Sequence, residues 1–168
     1  MALDLREFAS FPVDIILEME LDDLEDSLSG VTFPELATVK LNIQKMKEEF
    51  YCRGEVTAPV EIECSRCLEP YPDKLQGELN FIVRKYDAKA VMSADGGEDV
   101  ILLHPNDNIV DMTDQIRQGL ALALPMKPIC SEDCRGLCPQ CGANLNEETC
   151  DCRSDEIDER WEGLKDLS

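Results

Sequence analysis

Nine cysteines stand out in this 168-residue chain, six of them between positions 130 and 152. The most informative unit is Cys138-Pro139-Gln140-Cys141-Gly142. In a CxxC metal knuckle the two sulfurs flank a tight turn whose backbone N–H groups donate to them. Pro stiffens the entry, and Gly after the second Cys relieves the steric conflict at the exit. Two thiolates at about 2.3 Å from a zinc ion leave two tetrahedral positions open. Cys150-Asp151-Cys152 can fill them, because Asn144-Leu145-Asn146 in the gap is a good chain reversal. Cys138, Cys141, Cys150 and Cys152 therefore read as one compact, closed Zn2+ site.

The remaining cysteines also form ligand-spaced pairs. Cys64-Ser65-Arg66-Cys67 ends an apolar-alternating run, and Cys130 and Cys134 are four apart. These four could build a second tetrahedral site, leaving Cys52 as a plain thiol. Two other readings of Cys64 and Cys67 stay open, a structural thiol pair or a redox pair. A thioredoxin-like site wants its first Cys at a helix N-terminus within a βαβ unit, whereas Leu68-Glu69-Pro70 blocks a helix here. Met1 to Phe11 has no basic start followed by an apolar run, so the expected compartment is the reducing cytoplasm, where paired cysteines bind metal more often than they form disulfides.

The elements that must position these groups are mostly strands. Val13, Ile15, Leu17, Met19 and Leu21 alternate with polar residues, with Ile16 the one lapse. Val39 to Ile43, Val56 to Cys64 and Leu79 to Val83 repeat the pattern, and Val100 to Leu103 predicts a short fifth strand. Pro59 inside the third run points to an edge position or a bulge. Leu21 to Gly30 predicts an acidic turn or short helix, and Asp87 to Glu98 a loop. Ile109, Met112, Ile116, Leu120 and Leu124 predict a helix that Asp111 or Thr113 can cap and Pro125 ends. A short final helix is expected over Asp155 to Leu167. Short links without intervening helices imply antiparallel pairing. The expected fold class is α+β: a mainly antiparallel β-sheet with one long helix over 1–128, and a small Cys-rich zinc-binding module over 129–168.

Charge narrows the partners. Residues 1–39 carry ten acids and one base, residues 40–89 nine of each, and residues 90–168 seventeen acids and six bases, for a net charge of −20. Both ends would repel a phosphate backbone and attract a basic protein. The basic residues that a direct RNA-binding module would need lie in the neutral middle: Lys40, Lys45, Lys47, Arg53, Arg66, Arg84 and Lys85. The single His104, in a polar turn, reads as a surface residue. No Ser/His/Asp set, P-loop or GxGxxG is present, and all-Cys metal sites are closed, so the sequence argues against an enzyme.

Three segments resemble the YceD family, the large ribosomal RNA subunit accumulation proteins. They are Cys64-Ser65-Arg66-Cys67-Leu68-Glu69-Pro70; Leu122-Ala123-Leu124-Pro125 running through Pro128-Ile129-Cys130 and the cysteines to Cys152; and Ile157-Asp158-Glu159-Arg160-Trp161 with Leu164 and Leu167. The family usually has Pro at the position of Glu159. The resemblance implies a bacterial or organellar setting, a role in large-subunit ribosomal RNA accumulation, and a genetic neighbourhood with a small zinc-binding ribosomal protein. The resulting expectation is a non-catalytic ribosome biogenesis factor that binds a basic ribosomal protein or a large-subunit assembly intermediate. The alternatives are a thiol redox or metal-transfer protein acting through Cys64 and Cys67, and a direct RNA-binding zinc module.

Overall fold

The computed structural model describes residues 2–21, 24, 28, 30–85 and 99–152. The expected loop over Asp87 to Glu98, the final helix over Asp155 to Leu167 and most of the acidic turn after Leu21 lie outside the described residues. The chain divides into two compact units. The first comprises Met1–Ile62 and Tyr71–Met126; the second comprises Glu63–Pro70 and Lys127–Ser168. The second unit therefore claims the Cys64–Cys67 loop, which a linear division at residue 128 assigns to the sheet.

The first unit is built on strands β1 (Ala2–Asp4), β2 (Val13–Met19), β3 (Val31–Thr32), β4 (Ala37–Met46), β5 (Glu49–Glu63), β6 (Pro70–Lys85), β7 (Val100–Leu103) and β8 (Ile109–Asp111), with helix α1 (Thr113–Ala123). The main sheet runs β2-β4-β5-β6-β7, with β3 added against β5. On one face Val39, Leu41, Ile43, Val56, Val60, Leu79, Phe81 and Val83 are buried, and Ile116 and Leu120 of α1 join them in the core. The alternation that predicted these strands is what makes that face apolar. Ile16, the lapse in β2, lies 69% exposed.

The pairings of β2 with β4, β3 with β5 and β4 with β5 are antiparallel, as expected, whereas β6 and β7 pair in parallel; two other features differ from the sequence expectation. Fourteen residues separate Lys85 from Val100, about the minimum that a parallel crossover needs. Ile109–Asp111 is strand, not the start of a helix: it pairs antiparallel with β1, through Leu3↔Val110. Asp111 sets the boundary, since its carboxylate accepts from the Thr113 backbone N–H (3.0 Å) and hydroxyl (2.6 Å) at the first residue of α1. Pro59, finally, sits inside a central strand. It is tolerated because β4 pairs with β5 only up to Thr57, and β3 takes over from Glu61. The residue without an N–H falls in the gap between partners.

Strands β5 and β6 are longer than alternation alone indicates. Within β6 the apolar pattern lapses at Gly77 because the helix backbone occupies the place of a side chain. A Cβ on Gly77 would stand 2.4 Å from the carbonyl carbon and oxygen of Gly119 in α1. Backbone cannot swing aside as a side chain can. Gly77→Ala should therefore destabilise the first unit by about 2 kcal/mol or more, at the upper end of overpacking costs. Gln118→Ala on the exposed side of α1 should cost far less. Urea midpoints for the two variants test this close approach; equal midpoints would mean that α1 does not seat on Gly77.

Candidate metal centres

The second unit brings all eight paired cysteines together in two sets. Sulfurs of Cys64, Cys67, Cys130 and Cys134 lie within 4.8 Å of one another, as do those of Cys138, Cys141, Cys150 and Cys152. All are free thiols. Cys64 Sγ is 3.9 Å from Cys134 Sγ, and Cys67 Sγ is 3.8 Å from Cys130 Sγ. A disulfide would require about 2.05 Å. A tetrahedral ion with four bonds of about 2.3 Å has sulfur–sulfur edges of about 3.8 Å. The first cluster thus has the dimensions of a tetrathiolate cage, and both sets could hold a metal ion. Cys52, by contrast, is buried in the first unit, where burial pushes its thiol up to about 12.

Each cluster is founded on the same backbone device. The Leu68 N–H donates to the Cys64 carbonyl at 2.9 Å, and the Gly142 N–H donates to the Cys138 carbonyl at 2.9 Å. Both turns exit through a left-handed residue, Leu68 at φ 60° and Gly142 at φ 77°. Cys64-Ser65-Arg66-Cys67 is therefore a second knuckle of the Cys138–Cys141 type, with Leu where the latter has Gly. The sequence left this CxxC open between metal, structural-thiol and redox readings, and it carries no glycine to mark the turn's exit.

Hydrogen bonds to sulfur complete the shells. Cys64 Sγ accepts from the backbone N–H of Arg66 (3.5 Å) and of Cys130 (3.4 Å). Cys134 Sγ accepts from the Asn146 side-chain amide at 3.4 Å. Arg66, which the sequence marked only as a cation, acts as a clamp. Its guanidinium donates to the carbonyls of Cys134 (2.8 Å) and Glu132 (3.1 Å), and its own carbonyl accepts from the Leu137 N–H at 3.0 Å.

The thiols respond to this setting in the same way in both clusters. Burial opposes the Cys64 thiolate, yet the backbone N–H groups of Cys130, Cys67 and Arg66 outweigh it and bring the thiol down to about 6. The N–H groups of Cys141 and Gln140 bring Cys138 to about 6. Conversely, the hydrogen bond from Cys130 to Cys134, with burial, pushes Cys130 up to about 12, and the bond to Cys141 does the same to Cys152. Within each cluster the shifts run in opposite directions, through the hydrogen bonds among the sulfurs. A divalent cation supplies a counter-charge and lets all four deprotonate.

His104, the only histidine, lies exposed in a turn, its Nδ1 accepting from the Asn106 N–H at 3.3 Å, outside both clusters.

The left-handed exits are directly testable. Leu68 is 54% exposed, so Leu68→Gly removes backbone strain and little packing. It should stabilise the second unit by about 1 kcal/mol. A Cβ at Gly142 would meet nothing within 4 Å, so Gly142→Ala should destabilise by about the same amount through conformation alone. Chemical denaturation monitored by protease sensitivity of the 127–152 segment would read both. Shifts in the same direction would refute the equivalence of the two turns.

Comparison with known proteins places this architecture. The chain is 32% identical over 132 residues to an uncharacterized protein of Mycobacterium tuberculosis, covering 79% of this chain and 62% of that one. It is 33% identical over 128 residues to an uncharacterized protein of Mycobacterium leprae, covering 76% and 57%. A chloroplastic large ribosomal RNA subunit accumulation protein YCED homolog of Arabidopsis thaliana matches at 23% over 152 residues, covering 77% and 47%. The chain thus spans about three-fifths of the length of its mycobacterial relatives or less. No solved structure gives a significant match. The family description "Large ribosomal RNA subunit accumulation protein YceD" matches residues 52–168, which takes in both cysteine clusters, and the chain belongs to that family.

Proposed function

We propose that this chain is a non-catalytic, zinc-loaded factor that supports accumulation of large-subunit ribosomal RNA by holding a basic ribosomal protein or an assembly intermediate. Family membership supports the biological role: the family's description names accumulation of an RNA and no reaction. The observation that carries the zinc reading is what the second unit buries. Among its described residues only Cys64, Cys67, Cys134, Gly136 and Cys138 are buried, with no Leu, Ile, Val or Phe among them. A segment without an apolar core cannot offset its ordering entropy by burial alone, whereas metal-binding energy can do so. Ligation by four thiolates, tetrahedral dimensions and N–H donors to sulfur favour Zn2+ over hard, oxygen-preferring cations.

A protein partner is favoured over naked RNA by the state of the basic residues. Lys40 pairs with Glu55 at 3.0 Å and Arg84 with Glu49 at 2.6 Å. Lys85 bonds Asn108 Oδ1 at 2.8 Å, and Lys45 stands 5.4 Å from the centre of the Phe50 ring. Arg66 spends its guanidinium on backbone carbonyls. Five of the seven cations that an RNA-binding face would use are thus already engaged within the chain. Meanwhile Asp14, Glu18 and Glu20 are exposed on and just beyond β2, with exposed Ile16 among them. No helix among the described residues is long and apolar enough to cross a membrane.

Two experiments test the proposal. Elemental analysis should find two zinc ions per chain; Cys138→Ser and Cys64→Ser should each lose one, and Cys52→Ser none. Full zinc retention in Cys64→Ser would instead make Cys64 and Cys67 a redox or metal-transfer pair. The triple variant Asp14→Asn, Glu18→Gln, Glu20→Gln should slow association with a basic large-subunit ribosomal protein, and the wild-type rate should fall as salt rises, since exposed charges are screened within about 8 Å at physiological ionic strength. Unaltered binding by the triple variant, or salt-resistant binding to ribosomal RNA fragments alone, would move recognition away from the acidic strand.

A further inference from the structure

The two sulfur clusters are joined by one side chain. Asn146 lies between Cys141 and Cys150, inside the loop that the Cys138/Cys141/Cys150/Cys152 cluster closes, yet its amide nitrogen donates to Cys134 Sγ of the other cluster at 3.4 Å. Its position is set from both sides. Asn144 Oδ1 accepts from the Asn146 amide (2.9 Å) and backbone N–H (3.1 Å), and Asn146 Oδ1 accepts from the Arg135 N–H at 2.8 Å. The turn carrying it is pinned to the strand-like segment before Cys138: the Leu145 N–H donates to the Gly136 carbonyl (2.9 Å) and the Cys138 N–H to the Ala143 carbonyl (2.8 Å). Closing the Cys138–Cys152 cluster fixes both ends of this turn, and with it the direction of the Asn146 amide.

From this geometry we infer that Asn146 is a positioning residue coupling the two metal sites, so that an ion among Cys138, Cys141, Cys150 and Cys152 raises the affinity of the Cys64/Cys67/Cys130/Cys134 site. The inference rests on the metal-binding reading above. The sites differ in what their closure costs. The C-terminal cluster gathers ligands from a span of fifteen residues, 138 to 152, whereas the other joins pairs 63 and 70 positions apart in sequence. Loop-closure entropy favours filling the local site first. The ordered turn then supplies an N–H donor to Cys134, and such donors orient a ligand sulfur and share its charge; removing one typically lowers metal affinity about 10- to 100-fold. Coupling between binding sites is reciprocal, so an ion at the distant-pair site must tighten the local one by the same factor.

Cobalt(II) is a suitable probe, because tetrathiolate coordination gives it a visible spectrum and a sulfur-to-metal charge-transfer band. The full-length chain, loaded with two cobalt ions, would be titrated with a chelator. In Asn146→Ala one ion should leave at a chelator activity about 10- to 100-fold lower than in the wild type. Adding Cys64→Ser should abolish that weakened step, which assigns it to the distant-pair site. Its charge-transfer band should move to longer wavelength, because a sulfur that loses an N–H donor holds its lone pairs less tightly; a merely structural role would not shift the band. Asn146→Asp, which keeps the acceptor for Arg135 but turns a carboxylate on Cys134, should weaken the same site further. In Cys141→Ser the distant-pair site should also weaken, and adding Asn146→Ala to it should cost little more. Should Cys141→Ser fail to fold, the Ala and Asp variants decide the matter alone. Release of both ions at unchanged chelator activity in both Asn146 variants, or a last ion that also leaves the singly loaded chain earlier than in the wild type, would overturn the coupling. A wild-type chain that takes up no cobalt would overturn the metal reading and the coupling with it.

Discussion

Four thiols held within 4.8 Å of one another cannot all ionise unless something compensates their charge, and the second unit contains this arrangement twice. Elsewhere side chains of Leu, Ile, Val and Phe make the core; among the described residues of this unit the buried side chains are those of cysteines. The unit is organised around them. Backbone N–H groups turn inward to sulfur in place of a neighbouring strand, and Arg66 and Asn146 hold the remaining backbone in register by hydrogen bonds. Both clusters have the dimensions to hold a metal ion, whose charge would offset that of four thiolates.

The sheet answers a different constraint. It buries one face under α1 and leaves the other polar, with ion pairs such as Lys40–Glu55 and Arg84–Glu49 lying across neighbouring strands. These pairs are largely exposed and add little stability. Their consequence is electrostatic: they neutralise the middle of the chain and leave its acidic ends unopposed. The chain therefore carries a net negative charge although its sheet has several cations.

The two knuckles show how one backbone geometry can be reached from dissimilar residues. Gly142 takes the left-handed exit without steric cost, and Leu68 takes it at a cost of about 1 kcal/mol. The strained version persists because its surroundings determine it: Cys64 accepts from Cys130 N–H, the Ser65 N–H and hydroxyl both reach the Pro128 carbonyl at 2.8 Å, and Leu137 caps Arg66. Backbone strain of this size persists only where the surrounding structure over-determines it.

Much of this was legible in the residues. Alternation located β2, β4 and the buried parts of β5 and β6, since a half-buried strand has no other way to present one apolar face. Spacing within Cys138–Cys141 and Cys150–Cys152 named the local cluster, because a tight turn fixes which sulfurs can meet. Other features were hidden because they depend on what another segment does. Gly77 reads as an interruption of β6 until the backbone of α1 is seen against it. Ile109 and Val110 fit a helix as well as a strand, and only pairing with Ala2–Asp4 decides. Parallel pairing of β6 with β7 carries no local signal. Counting ligand-spaced pairs put Cys64 and Cys67 with Cys130 and Cys134 as one reading among three, but the pairing spans more than sixty residues, and only the fold shows these four sulfurs brought together. Short-range geometry is written in residue order because the covalent chain enforces it, while long-range contact belongs to the tertiary structure because only the packing of the whole chain chooses among the partners that local chemistry allows.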